Sequence, residues 1–156
     1  MKYTSTLLAV RDMERAKRFY REILGLEVVA DFGANVTLTG GISLQTADTW
    51  AKFIRKGDDE IIFRNNAAEL YFEEERIDDF AAKLSAAPGI VYVHPLIEHP
   101  WGQRVVRFYD PDGHIIEVGE NMAAVVRRFL DSGLSPQETA ARMDVPEDYV
   151  RACLRP

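Results

Sequence analysis

Apolar and polar positions along this chain follow first a period of two, then a helical period, then two again, and they do so twice. Tyr3–Val10 runs β-branched and aromatic residues into an apolar end, the pattern of a strand. Met13, Ala16, Phe19, Tyr20, Ile23 and Leu24 then recur at helical spacing, with Asp12 in N-cap position and Gly25 as the C′ residue. Leu26–Phe32, Val36–Thr39 and Ile42–Thr46 read as short strands separated by Gly33-Ala34-Asn35 and Gly40-Gly41. The order is strand, helix, three strands. A connector follows, helical in flavour around Trp50–Ile54 and broken at Gly57-Asp58-Asp59, with Glu60–Arg64 strand-like beyond it.

The second pass repeats that order. Glu69–Glu74 alternates, with Glu69, Tyr71 and Glu73 on one face and Leu70, Phe72 and Glu74 on the other. A helix from about Ile77 to Ala87 carries its apolar stripe on Ile77, Phe80, Ala81 and Leu84 and stops at Pro88-Gly89. Ile90–Ile97, Gln103–Tyr109 and His114–Gly119 are the three strands that complete it. Residue identity between the copies is slight, so element order and punctuation carry the repeat. The expected class is α+β: two βαβββ modules, about residues 3–46 and 68–119, forming a curved mixed sheet around a cavity. After Glu120 the texture becomes wholly helical. Met122–Leu130 is amphipathic, Ser135 with Pro136 and Glu138 makes a capping box, and Glu147–Leu154 follows an Asp144-Val145-Pro146 break. Residues 1–120 are therefore read as one domain and 121–156 as a helical extension.

The last two strands of the repeat are joined by Asp110-Pro111-Asp112-Gly113, in which Pro sets φ, Asp accepts local backbone hydrogen bonds and Gly supplies a positive φ. That is a β-hairpin turn. On the strand after it, Glu117 shares a face with Ile115 and Gly119. A carboxylate in such apolar company must be solvated, paired or bound to a metal.

Composition narrows the partners. At 156 residues and 47% hydrophobic, the chain can bury a sizeable core. A net charge of −6 argues against nucleic acid or an anionic membrane, both of which reward excess Lys and Arg. The single cysteine, Cys153, allows no intramolecular disulfide, which fits a reducing compartment. With no signal-like or membrane-length apolar run, a cytoplasmic location is expected.

A βαβββ duplication with a DPDG turn before HIIEVGE resembles the vicinal oxygen chelate superfamily, the group of glyoxalase I, bleomycin- and fosfomycin-resistance proteins and extradiol dioxygenases. The opening YTSTLLAVRDMERAKRFYREILGLEVV resembles the first module of glyoxalase-type members, and the resemblance covers about Lys2–Glu120. It implies metal ligands at Ser5, Gln45, Glu69 and Glu117. The family's usual His is Ser at the first position and Glu at the third. Ser hydroxyl and Gln amide are poor ligands, whereas two carboxylates and an amide oxygen suit a harder ion. The resemblance thus implies one divalent cation (Mn, Mg, Ni or Zn) on Glu117, Glu69 and Gln45, with Ser5 at the remaining position. Without a cation, two carboxylates on one cavity repel, and at least one gains proton affinity.

The leading expectation is a glyoxalase-like lyase or isomerase for a substrate with adjacent oxygens, with Glu117 and Glu69 catalytic and Tyr71, Trp101 and Arg107 binding substrate. The alternative is a metal-free protein that sequesters a small molecule between aromatic walls (Tyr71, Trp101, and Phe72 or Phe108). A further alternative is a ligand-responsive regulator whose tail reports occupancy. Arg104 and Arg107 lie on opposite faces of one strand, so one can neutralise a carboxylate or hold an anion. His94 and His99 flank Pro95 and Pro100 and read as rim or turn residues on an irregular strand, with His99 and Trp101 lining the cavity mouth as the functional alternative, and His114 reads as a turn edge. The tail resembles a helix-turn-helix, but its second helix opens on two acids, Glu147 and Asp148, where phosphate contacts would be needed. Packing or dimerisation is expected of it instead, and a homodimer is expected from the family resemblance.

Overall fold

The strand β1 (Thr6–Val10) gives way to a helix because Asp12, extended at φ −136°, accepts a hydrogen bond from the Arg15 backbone N–H. In the computed structural model, which describes residues 1–155, that cap opens α1 (Met13–Leu24). The helix buries Ala16 and Tyr20 and ends where Gly25 takes φ 69°, leaving Leu26 N–H to bond the Tyr20 carbonyl. The strands β2 (Val28–Asp31), β3 (Asn35–Leu38) and β4 (Ile42–Thr46) follow. The sheet order is β1-β4-β3-β2, with β4 parallel to β1 and antiparallel to β3. Val10, Tyr20, Val36, Leu38 and Leu44 form its core, each removed from water and worth about 1.5–3 kcal/mol.

The helix α2 (Ala47–Ile54) takes in the segment read as helical around Trp50–Ile54. The strand-like Glu60–Arg64, which could extend a sheet edge or merely lead in, forms no strand. Glu60 folds its carboxylate back onto the Gly57 N–H and Lys56 Nζ, making a short 3-10 turn over Asp58–Glu60. Arg64 and Asn66 then sit at φ 53° and 56°, which breaks any extended run. Residues Met1–Glu69 form one compact unit together with Tyr109–Ile115, the DPDG turn.

The second unit comprises Leu70–Phe108 and the chain from Ile116 onward. Its sheet is built from β5 (Glu69–Glu74), β6 (Val91–Glu98), β7 (Arg104–Tyr109) and β8 (Ile115–Glu120), in the order β5-β8-β7-β6, with α3 (Ile77–Ala86) after β5. This is the order of the first sheet again, so the duplication is one of topology. The strand β6 is continuous through Pro95, not irregular as its prolines suggested, because it lies at the sheet edge. Ile77, Leu84, Val106, Phe108, Ile116 and Val118 are buried in this unit, with the Phe80 and Phe108 rings 6.2 Å apart.

Three tail helices complete it: α4 (Met122–Asp131), α5 (Pro136–Met143) and α6 (Glu147–Cys153). Asn121 caps α4, and Ser135 and Glu138 form the expected capping box on α5. Asp144 turns the chain at φ 55°. Val125, Val126, Phe129, Ala140, Met143 and Val150 make a small core of their own, against which Cys153 is partly buried. Among the described residues no helix is long and apolar enough to cross a membrane.

Candidate functional site

Pleating divides the second sheet into two chemically different faces. Arg104, Val106 and Phe108 alternate on β7 with Val105, Arg107 and Tyr109, and Ile116, Val118 and Glu120 alternate on β8 with Ile115, Glu117 and Gly119. The face toward α3 is fixed by contacts: Phe108 meets Phe80, and Arg104 donates to both Glu120 and Asp78. Phe108 is therefore core and no wall of a ligand site. Glu120 is buried, and Arg104 and Arg128 hold its carboxyl below the usual glutamate range against the opposing pull of burial.

On the opposite face the Arg107 guanidinium meets the Glu117 carboxylate in a direct ion pair. Glu117 is buried, its side chain 8% exposed, and Arg107 shields it. The contact falls on Oε2 without hydrogen-bond alignment at that oxygen. Arg107 Nη1 also lies 3.2 Å from His94 Nε2, so a histidine read as a rim residue is a mid-strand neighbour of the pair. His99, on the loop after β6, has its ring stacked on Trp101 at 4.3 Å and 15°. Its basicity is lowered by burial first, then by the cationic Arg107 and by His94.

A polar chain leads away from Trp101. Its indole Nε1–H donates to Gln103 Oε1 (3.3 Å), and Gln103 Nε2 donates to the Tyr71 hydroxyl (3.0 Å) and to the Glu120 carbonyl (3.0 Å). Tyr71 donates in turn to Glu73 Oε1 (3.1 Å). Burial raises the Tyr71 phenol, and the Glu73 carboxylate raises it further against the bond from Gln103. Gly119 makes the crossing possible: a Cβ there would lie 2.9 Å from Gln103 Nε2 and 3.1 Å from the Tyr71 ring. Gln103, Gly119 and His94 were not singled out from sequence as members of this group. The signal was the period of two that puts Gln103 in step with Arg107 and Gly119 in step with Glu117.

The metal positions implied by resemblance divide between the units. Ser5, half-buried before β1, Gln45 on β4 and the exposed Glu69 opening β5 belong to the first, and Glu117 to the second. Gln45 is buried, accepts from Asn35 Nδ2 at 2.8 Å and donates to Thr49 Oγ1, so both ends of its amide are engaged. Glu117 already faces a guanidinium, which neutralises its charge. Taken one by one, Ser5 offers a weak hydroxyl, Gln45 an engaged amide and Glu117 a carboxylate paired to arginine, each a poor donor to a divalent cation, whereas Glu69 is an exposed carboxylate. Among the described residues no group of three or more His, Cys, Asp or Glu is arranged to hold one.

The hairpin turn itself serves the first unit. Asp110 accepts the Tyr20 hydroxyl (2.8 Å), His114 Nδ1 (2.9 Å) and two backbone N–H groups of its own turn. Asp112 accepts the Arg11 backbone N–H at 3.2 Å and Arg15 Nη2 at 3.1 Å. His114 is thus a turn residue, as read from sequence.

The sequence model of the glyoxalase-like domain matches residues 3–123. Among solved structures, a protein of unknown function from Agrobacterium tumefaciens str. C58 is 39% identical, covering 78% of this chain and 94% of that one with a TM-score of 0.68. A glyoxalase-related enzyme from Fulvimarina pelagi is 20% identical over 78% of this chain and 89% of its own, again at TM-score 0.68, a likeness of fold. A lactoylglutathione lyase from Agrobacterium tumefaciens is 25% identical, covering 76% and 92%, with a TM-score of 0.58. The sequence matches none of the curated proteins.

Proposed function

The chain belongs to the glyoxalase-like family, within the vicinal oxygen chelate superfamily, and we propose that it binds a small planar molecule bearing oxygen acceptors, without a metal. The observation that carries this reading is the Arg107–Glu117 ion pair on the sheet face that also holds Trp101, Gln103 and Tyr71. Glu117 neutralises Arg107, and a guanidinium on such a face suits oxygen acceptors. Trp101 and Tyr71 are 40% and 49% exposed, large aromatic surfaces that a planar ligand would cover. The Gln103 amide locks both rings in place, so little ordering cost is left to the binding step.

Two experiments test it. Thermal melts of the purified chain with Mn, Mg, Ni and Zn are expected to show no shift, and stoichiometric metal with a shifted melt overturns the metal-free reading. Titration with 1-naphthoate and related planar aromatic carboxylates is expected to change Trp101 fluorescence saturably, with the response lost in Trp101→Ala. No saturable response across such a panel overturns the choice of ligand class.

A second reading is an isomerase or lyase of the glyoxalase type, which the 25% identity to a lactoylglutathione lyase supports. Glu117 would then move the proton, and Arg107 would have to release it first. Glu117→Gln abolishing turnover of an α-oxygenated substrate, with binding retained, selects this reading. Pairing of two copies goes with either, and sedimentation of the purified chain reads it.

A further inference from the structure

The loop between β6 and β7 is short and closed on itself: Gly102 N–H bonds the His99 carbonyl at 2.8 Å, and His99 N–H bonds the Gln103 carbonyl at 2.9 Å. It carries the stacked His99 and Trp101 rings and ends at Gln103, the residue that joins Trp101 to Tyr71. The tail helices grip this loop at alternate residues. Arg142 of α5 donates to the Pro100 carbonyl and, at 3.0 Å, to Glu98. Arg128 of α4 donates to the Gly102 carbonyl, to Glu98 at 3.4 Å, and to the Glu120 carboxylate. Both guanidinium groups also lie over the Phe129 ring, 4.9 and 5.3 Å from its centre.

Phe129 fits against the bare Cα of Gly102, where φ is 89° and any Cβ would run into the ring. The loop backbone is thus fixed on both sides of Trp101 by side chains from outside the repeat. Two features exceed what anchoring a tail requires. The carbonyls held are those of Pro100 and Gly102, immediately flanking Trp101, and their donors are planar forks that fix direction as well as distance. The tail's own core of Val125, Val126, Ala140, Met143 and Val150 already supplies apolar packing between its helices.

We propose that α4 and α5 are a positioning device for the ligand site, with Arg142 and Arg128 setting the Trp101 loop and, through it, the aromatic wall. The assignment rests on the reading of Trp101 as part of the binding surface. Its effect is on orientation: the rings stay in the protein when the grip is lost but leave the plane that Gln103 enforces. Arg142 is the residue to test, because Arg128 also neutralises buried Glu120 and its loss confounds positioning with folding.

The experiment uses the full chain with Trp50→Phe, leaving Trp101 as the reporter, and compares Arg142→Met with Arg142→Lys. Trp101 is 40% exposed, so releasing the loop is expected to raise its acrylamide quenching about twofold in Arg142→Met. Far-UV circular dichroism is expected to stay unchanged, and Arg142→Lys, which keeps one donor to Pro100, to restore part of the protection. The 1-naphthoate Kd is expected to rise about tenfold in Arg142→Met, the size of a displaced aromatic contact. Unchanged quenching in a folded Arg142→Met overturns the positioning role. So does raised quenching with an unchanged Kd. If the Trp50→Phe parent itself fails to bind 1-naphthoate, the ligand reading fails, while the quenching comparison still decides whether Arg142 sets the loop. Should Arg142→Met unfold, Arg142→Ala, which likewise removes both donors, gives the same comparison.

Discussion

Arg107 and Glu117 face each other across β7 and β8, and their pairing is set by the turn that joins those strands. The turn closes with Asp110 N–H on the His114 carbonyl at 2.9 Å. Counting outward residue by residue from that closure brings Arg107 opposite Glu117 and then Arg104 opposite Glu120, on the other face. Both pairs are observed. One hairpin register therefore yields two buried carboxylates, each neutralised by the arginine across from it.

Removing one member of the first pair should expose its cost. Arg107→Met leaves Glu117 buried opposite a thioether, and the expected loss is about 3 kcal/mol in urea unfolding. The double replacement Arg107→Met with Glu117→Met should recover most of it, since no uncompensated charge remains. A double variant no more stable than the single would show that the pair contributes through packing alone.

That register also marks what the sequence disclosed and what it withheld. The repeat was legible because its punctuation is local: Asp12 and Gly25 act within a few residues of themselves, and the DPDG turn closes through its own backbone N–H groups, as Ser135 caps its own helix in the tail. Which arginine faces Glu117 was left open, because the answer lies in cross-strand counting and not in one strand's alternation. The strand-like Glu60–Arg64, read as a sheet edge or a mere lead-in, forms no strand, and for a local reason. Its apolar Ile61, Ile62 and Phe63 suit a strand, but Glu60 capping Gly57 N–H and the left-handed Arg64 override propensity. Pro95 misled in the other direction, since a proline marks an edge strand as readily as an irregular one, and β6 is the edge. Trp101 was read as a binding residue with His99 as a candidate partner, but the part played by Gln103 and the hold on the loop were hidden, because that hold comes from Arg128 and Arg142, residues remote in sequence and assigned to another segment.

Glu120→Gln tests the second pair and the tail's attachment. Glu120 titrates below the ordinary glutamate range, so its stabilisation is present above the unfolded value of about 4.3 and is lost as pH falls through the folded value. At neutral pH the substitution should cost about 3 kcal/mol, because Arg104 and Arg128 lose their shared anion. Below about pH 4 the difference between wild type and variant should narrow. A constant difference across that range in urea titrations would contradict the assignment.

Tyr20→Phe removes the hydroxyl that α1 donates to Asp110 at 2.8 Å in the first unit. The acceptor is a buried carboxylate, so the loss should be about 1.5–3 kcal/mol. Asp110 itself is held below the ordinary aspartate range: burial raises it, and bonds from His114 and Tyr20 more than offset that. Without the phenol, the pH at which acid begins to unfold the protein should move upward, as followed by circular dichroism. An unchanged acid midpoint would place the hydroxyl's contribution elsewhere.

His99 supplies a titration that Trp101 can report. Its folded pKa lies below the free value of about 6.5, through burial and then through Arg107 and His94, so the fold favours the neutral ring. The corresponding stability is present above pH 6.5 and declines as pH falls from there toward the folded value. Protonating a ring stacked 4.3 Å from an indole should quench it, so in a Trp50→Phe background the emission of Trp101 is expected to drop with a midpoint below about 6.5. His99→Asn should remove the step, and Arg107→Met, which deletes the nearby cation, should move it upward in pH. A midpoint at or above the free value, or a step that survives His99→Asn, would mean that the stacked histidine is not the group Trp101 senses.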